Sequence, residues 1–293
     1  MYRFQNANFL AKSTLSLLLA FVSGCAGWTE RTTDKLLEKP AIPKLNESKR
    51  SLILNVQFIP IEVDETSPDE IQSLWQWIDE THLDVEKRRQ LVENGIRVGR
   101  VVRDERFRQR LATMTNLTPD AGVVDQFFAQ ADIASEVTHG DRRIPMRMGS
   151  RYELPLRQPI EGSHTSMVRA NGKLVGRTLV DPQYLFAVTP TSGSNVKEVQ
   201  LRLRPEIQHG SMRQRWVSSD TALRIDTRRE SWSIEELDLK LVGTENDTFV
   251  IGATTPRRGL GKQLLGGKGS DNSQQQVLVL ITLAHVPLPS EQL

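Results

Sequence analysis

Ser166-Met167-Val168-Arg169-Ala170, then Asn171-Gly172, then Lys173-Leu174-Val175-Gly176-Arg177, reads as two short strands closed by a two-residue turn. Asn-Gly suits the mirror-image turn whose twist matches that of paired strands, so the stretch predicts an antiparallel hairpin. Outward from it, the chain after about residue 140 keeps one character, short alternating runs separated by turn residues. Further strands are expected over 185–189, 196–203, 214–217, 222–226, 237–242, 249–253 and 277–286. Between the last two, residues 259–273 are rich in Gly, Lys and Ser and read as a flexible loop.

Upstream the pattern differs. Leu52, Leu54, Val56 and Phe58 alternate, and Ile59, Ile61 and Val63 continue on the opposite phase, which predicts a strand with a bulge or bend near Pro60. Ser67-Pro68-Asp69-Glu70 is a helix start, with Ile71, Leu74, Trp75 and Ile78 on one face. A second helix is expected from Asp84 through Leu91 to a stop at Asn94-Gly95, followed by a short strand over 96–102. Asp104 can cap a third helix through Phe107, Leu111 and Met114, and residues 119–134, with Val123, Phe127 and Phe128, suggest a fourth. The expected class is α+β: a strand-helix-helix-strand unit with further helices over 51–138, then a mainly antiparallel β-domain over 139–293.

The first 25 residues carry Arg3 and Lys12, no acidic residue, an apolar stretch over 15–22, and the chain's single cysteine, Cys25. That order of parts reads as an export signal, and the apolar stretch is far short of the roughly 20 residues a spanning helix needs. Residues 26–50 are polar, hold Pro40 and Pro43, and read as a tether. Removal of residues 1–24 takes two of the 38 basic residues and none of the 36 acidic ones, leaving 36 against 36. A balanced chain argues against a general nucleic-acid binder. The densest basic stretch, from Arg97 to Arg110, is broken by Asp104 and Glu105 and reads as a solvated face.

Candidate sites are few. Residues 261–268, GKQLLGGK, invite comparison with a phosphate-binding loop, but the glycine spacing fails by one residue and Gly269 follows the lysine, so no nucleotide is expected. His82, His139, His164, His209 and His285 stand far apart without a second ligand at metal-pair spacing, so neither metal nor cofactor is expected. Ser163-His164 places a hydroxyl beside an imidazole, but strand neighbours point to opposite faces. Asp79-Glu80 and Glu235-Glu236 are adjacent carboxylates that read as surface charge. Trp75 and Trp77 cannot both enter one core from one helix; Trp77, at a core margin, and Trp216 are the candidate partner contacts.

Three resemblances add to this reading. Val22-Ser23-Gly24-Cys25 resembles the lipobox of bacterial lipoproteins, which implies cleavage between Gly24 and Cys25, acylation of Cys25, and insertion of the acyl chains in the lipid bilayer. Ala26 in place of Asp implies the outer membrane, facing the periplasm. The second half resembles the closing part of the secretin domain of secretion and pilus channels, on residues 199–207 (VQLRLRPEI), 248–252 (TFVIG), 259–261 (GLG) and 276–282 (QVLVLIT). Ala253 stands where secretins carry a second glycine, and no lipid-facing hairpin or repeated ring module is legible, so the resemblance implies a secretin-like domain and not the channel. The chain is also similar to exported planctomycete proteins, which implies no activity. The reading is a non-enzymatic membrane-anchored lipoprotein, a scaffold or accessory of an envelope or secretion-type assembly that self-associates or holds a protein partner. The alternatives are an exported enzyme with a cleft between the halves, or a cell-wall polymer binding module.

Overall fold

The strand at the centre of the molecule is its last. In a computed structural model describing residues 51–63, 69–115, 136, 138–218, 223–269 and 273–287, β14 (Gln274–His285) lies between β1 (Leu52–Glu62) and β12 (Thr248–Ala253), antiparallel to both. The signal segment, Cys25, the tether and the helix expected over 119–134 lie outside the described residues. The full order of the first sheet is β2-β3-β12-β14-β1-β4, with β13 also on β14. Here β2 is Ile78–Asp79, β3 Ile96–Val101, β4 Gly140–Met146 and β13 Gly266–Lys268.

Both faces of this sheet are covered, which explains why β14 is a nearly unbroken apolar run. Val277, Val279, Ile281 and Leu283 enter the larger core, while Leu278 and Leu280 enter a second one. That second core is closed by α1 (Asp69–Leu74), the tight turn Trp75–Trp77 and α3 (Asp104–Thr115), through Ile71, Leu74, Phe107 and Leu111. The same two-sidedness accounts for the phase change in β1. Leu52, Leu54, Val56 and Phe58 face one core and Ile61 the other, and pairing with β14 runs unshifted through Pro60↔Val277. The bulge expected near Pro60 is therefore absent; the register shift lies between Ile53 and Leu54. The first helix is also shorter than its apolar stripe suggested, since Ile78 already pairs with Val101 as strand.

Across the larger core lies a second sheet, β10-β9-β8-β5, with β11 on β9. Its strands are β5 (Tyr152–Pro155), β8 (Gln183–Ser192), β9 (Val199–Ser218), β10 (Leu223–Ser233) and β11 (Leu239–Gly243). The runs expected separately at 196–203 and 214–217 belong to one strand of 20 residues. Pro205 had hidden that continuity, because a proline cannot donate to a ladder. On the flank it shares with β10 and β11 it falls in a gap, after β11 has paired up to Leu203 and before β10 begins at Glu206. Its carbonyl still accepts from Ile234 N–H at 3.1 Å.

The Asn171-Gly172 hairpin forms as expected, joining β6 (Ser163–Ala170) to β7 (Lys173–Val180) in a separate two-stranded sheet. Both turn residues have positive φ, 50° and 72°. Val168 and Leu179 enter the larger core, whereas most of β7 is exposed.

Two further expectations need correction. The boundary at 138/139 does not divide the fold: the described residues from Ser51 onward form one unit, because strands of both halves interleave in the first sheet. Nor is 259–273 a flexible loop throughout, since Gly259–Leu265 is a helix, α4, whose Leu260, Leu264 and Leu265 are fully buried. Its three leucines recur at helical spacing, but the glycines around them gave the stretch the composition of a loop. The overall class is α+β, with antiparallel strands predominating.

Candidate functional site

Pairing between β8 and β9 ends at Gln208, but β9 and β10 continue together to Ser218 and Leu223. A two-stranded ribbon therefore continues beyond the last β8 pair, and at about 3.3 Å per residue its ten further residues on β9 span about 30 Å. Trp216 lies directly opposite Ile225, so the two share a face, and Met212 lies on the same face of β9 by its even spacing. Their exposures are 69% for Trp216, 51% for Ile225 and 67% for Met212. Gln214, opposite Thr227, separates Met212 from the Trp216–Ile225 pair on this face; open, paired apolar side chains such as Trp216 and Ile225 are of the kind a contact surface presents. On the opposite face, Arg213 pairs with Glu230 at 2.6 Å.

A second feature is a cleft of about 450 Å³ between the β6–β7 hairpin and the end of β10. Val168, Ala170, Val175 and Arg177 form one wall, and Ser231 to Glu236 the other. Trp232 is nearly buried in it, with the Arg177 guanidinium 4.6 Å from its ring centre. At one end a tight turn, Glu235–Leu237, carries both acidic residues of the Glu235-Glu236 pair. Glu235 is taken by Arg204 at 2.9 Å, and Arg204 also makes a two-pronged contact with Asp238. Among the described residues Glu236 meets only Asn171 Nδ2, at 3.4 Å, through its carboxylate.

The hairpin is held over the core by a small polar hub. Asn94, 1% exposed, donates through Nδ2 to Arg169 O at 2.8 Å and accepts from Arg169 N–H at 2.8 Å. Its own carbonyl accepts from Gly261 N–H at 2.7 Å, joining the end of α2 (Val85–Glu93) to α4. Gly261 is a glycine because the two backbones touch, a Cβ there standing 2.0 Å from Gly95 O, and Gly95, at φ 80°, would carry a Cβ 1.9 Å from Arg258 O. Close packing explains two glycines of 261–268, Gly261 and Gly266, since a Cβ on Gly266 would stand 2.4 Å from Lys262 O. Nearby, Arg157 donates to Gly266 O at 2.7 Å and to Glu136 at 3.0 Å. Burial lowers the Arg157 pKa against the pull of Glu136. Ser166 Oγ and Tyr184 Oη, both fully buried, are 2.7 Å apart, and burial pushes the Tyr184 phenol up. Sequence reasoning read Asn94 only as a helix stop, and Arg157, Arg177 and Trp232 carry no local pattern.

The remaining sequence candidates are dispersed. Asp79 accepts from Thr81 Oγ1 at 2.6 Å and Thr81 N–H at 2.8 Å, bonds that hold its carboxyl below the usual range. Glu80 pairs with Arg97 at 2.8 Å, and Arg97 lies over Trp75 at 4.1 Å. Trp75 is buried, while Trp77 sits half-buried at the margin of the second core beneath Arg106, 5.4 Å away. Trp77 thus packs against its own fold, and of the two candidate contacts Trp216 has the open face. His82 packs near Phe249, His164 Nε2 lies 2.7 Å from Glu161 O, and His285 lies 3.5 Å from Glu245. Among the described residues no three His, Cys, Asp or Glu gather as a metal site, and Cys25 and Gly24 lie outside them. No family model, curated protein or solved structure matches this chain.

Proposed function

We propose that the protein is a non-enzymatic, lipid-tethered scaffold or accessory subunit of an envelope or secretion-type assembly, and that the β9–β10 ribbon joins it to a second copy or a protein partner. The observation that carries the reading is the open apolar face of Met212, Trp216 and Ile225 on a two-stranded ribbon. Isolated two-stranded ribbons are marginal in water, so a projecting one with an apolar face gains order from a neighbour. In the same proposal, Cys25 is the acylated first residue of the mature chain, residues 26–50 are the tether, and the outer membrane facing the periplasm is the location. The strand-helix-helix-strand order of the first half then serves as a support for the strands of the second. The secretin-like reading draws on adjacency, since TFVIG on β12 pairs beside QVLVLIT on β14.

The test is the native mass of the full-length protein extracted gently with detergent from its own membrane, beside the Trp216→Ala, Ile225→Thr double variant. A large oligomer or a co-purifying partner, lost in the variant while the melting temperature stays put, supports the ribbon as the contact. A wild-type monomer alone overturns it. Cys25→Ser is expected to release the protein from membranes and to abolish acyl labelling. A second reading, wall-polymer binding, draws on the open Trp216 indole, a surface on which a sugar ring can stack; co-sedimentation with purified wall material separates it.

A further inference from the structure

We infer that the cleft between the β6–β7 hairpin and the outer edge of β10 is a docking site for an extended peptide strand. The strand would carry a carboxylate to meet Arg177 and a basic group to meet Glu236. This site is separate from the ribbon face and does not rest on it.

Three observations carry the inference. The first is the wall made by β10. Along a strand, successive side chains point to opposite faces, so a surface lined by consecutive residues is a strand edge and not a strand face. Ser231, Trp232 and Ser233, the last three residues of β10, all line the cleft, and among the described residues β10 pairs only with β9; Ile234, just beyond, also lines it but gives its N–H to Pro205 O. The free edge of β10 offers main-chain donors and acceptors to whatever enters.

The second is the opposing wall. Val168 pairs with Val175 and Ser166 with Arg177, which puts Val168, Ala170, Val175 and Arg177 on one face of the hairpin. That face is largely apolar, and Trp232 lies across from it. A volume of about 450 Å³ falls within the roughly 300–1,000 Å³ of ligand clefts. A helix, about 10–12 Å across with its hydrogen bonds closed internally, has nothing to give a strand edge. An extended peptide supplies the missing ladder bonds from its backbone and places alternate side chains against the apolar wall.

The third is charge left over. Arg177 stacks on Trp232 and makes no ion pair among the described residues. Among the described residues the Glu236 carboxylate meets only the Asn171 amide, while Lys87 Nζ is spent on the Glu236 backbone carbonyl at 2.7 Å and on Gln90. One unpaired charge of each sign in a cleft with a free strand edge selects a peptide that carries both.

The probe is an end-blocked, fluorescein-labelled hexapeptide of alternating Val and Thr with Lys at one end and Glu at the other, made in both orders. It is titrated by anisotropy against the full-length protein in detergent. Saturable binding of one order is expected. Methylation of alternate backbone nitrogens should weaken it at least tenfold, because ladder bonds are lost. Arg177→Ala and Glu236→Gln should each weaken it about three- to tenfold, and Arg177→Lys less, because it keeps the charge. If Arg177→Ala lowers the melting temperature, Glu236→Gln decides the point. Trp216→Ala should leave binding unchanged. No saturable binding by either order, equal binding of the methylated peptide, or loss of binding in Trp216→Ala overturns the inference.

Discussion

Gly261→Ala tests whether α4 is built against the Asn94-Gly95 turn. An added Cβ would stand 2.0 Å from the Gly95 carbonyl oxygen and 2.4 Å from its carbon. Both atoms are backbone, so no rotamer change relieves the overlap, and either the helix or the turn must move. Overpacking of this kind costs about 1–3 kcal/mol. Separation also stretches the 2.7 Å bond from Gly261 N–H to Asn94 O, a loss of about 1 kcal/mol. Alanine's better helix propensity offsets about 1 kcal/mol. With backbone against backbone the upper end of the overpacking range applies, for a net loss of about 3 kcal/mol. At about 2–4 °C per kcal/mol for a fold of this size, the melting temperature followed by circular dichroism should drop by about 6–12 °C. Gly176→Ala is the control, because a Cβ there meets nothing within 4 Å. If Gly261→Ala melts with the wild type, α4 is not seated on the turn and the flexible-loop reading of 259–273 returns.

Two predictions concern charge. Burial pushes the His82 imidazole below its ordinary value against the pull of Asp79 and Glu80, with Arg100 adding to the lowering. The folded state therefore favours the neutral ring, so its contribution is present above the unfolded value of about 6.5 and is lost as pH falls. Urea midpoints should decline from about pH 7.5 to 5 in wild type and less steeply in His82→Phe; equal slopes would dismiss His82 as the cause. Burial raises the Asp238 carboxyl, but Arg204 and Arg202 outweigh it and hold it below the usual range, so Asp238 stabilises above about pH 4 and less below. Asp238→Asn should cost about 1–2 kcal/mol in urea unfolding at neutral pH, and a loss under about 0.5 kcal/mol would mean the pair is mere surface charge.

Local elements were legible in the sequence wherever one residue pair or one period decided them. Asn171-Gly172 specified its hairpin, and Asn94-Gly95 ended α2 where the side-chain pattern said it would. What failed depended on partners distant in sequence. Ile59 and Ile61 broke the alternation of β1 because a second core lies behind the sheet, and nothing nearby announces that core. Pro205 split β9 on paper because its missing N–H matters only relative to where β10 and β11 stop. The cleft is less legible still. Arg177 and Trp232 are 55 positions apart in the chain and meet across a hairpin held by contacts distant in sequence, those of Asn94 with Arg169 and of Gln263 with Thr165 among them.

The central position of β14 makes the two halves inseparable, and truncation tests this. A chain ending at residue 273 leaves β1 and β12 without the strand between them. It also deletes Val277, Leu278, Val279, Leu280, Ile281 and Leu283, each at most 1% exposed. At about 1.5–3 kcal/mol for each buried side chain, the loss is about 9–18 kcal/mol. That matches or exceeds the roughly 5–15 kcal/mol holding an ordinary fold together. Because Leu278 and Leu280 belong to the core beneath α1 and α3, the loss reaches the first half as directly as the second. The truncated chain should show unfolded far-ultraviolet circular dichroism and no protease-resistant core. If residues 51–138 were an independent domain, limited proteolysis would instead leave a resistant fragment spanning β1 to α3, and that fragment would refute the single-unit fold.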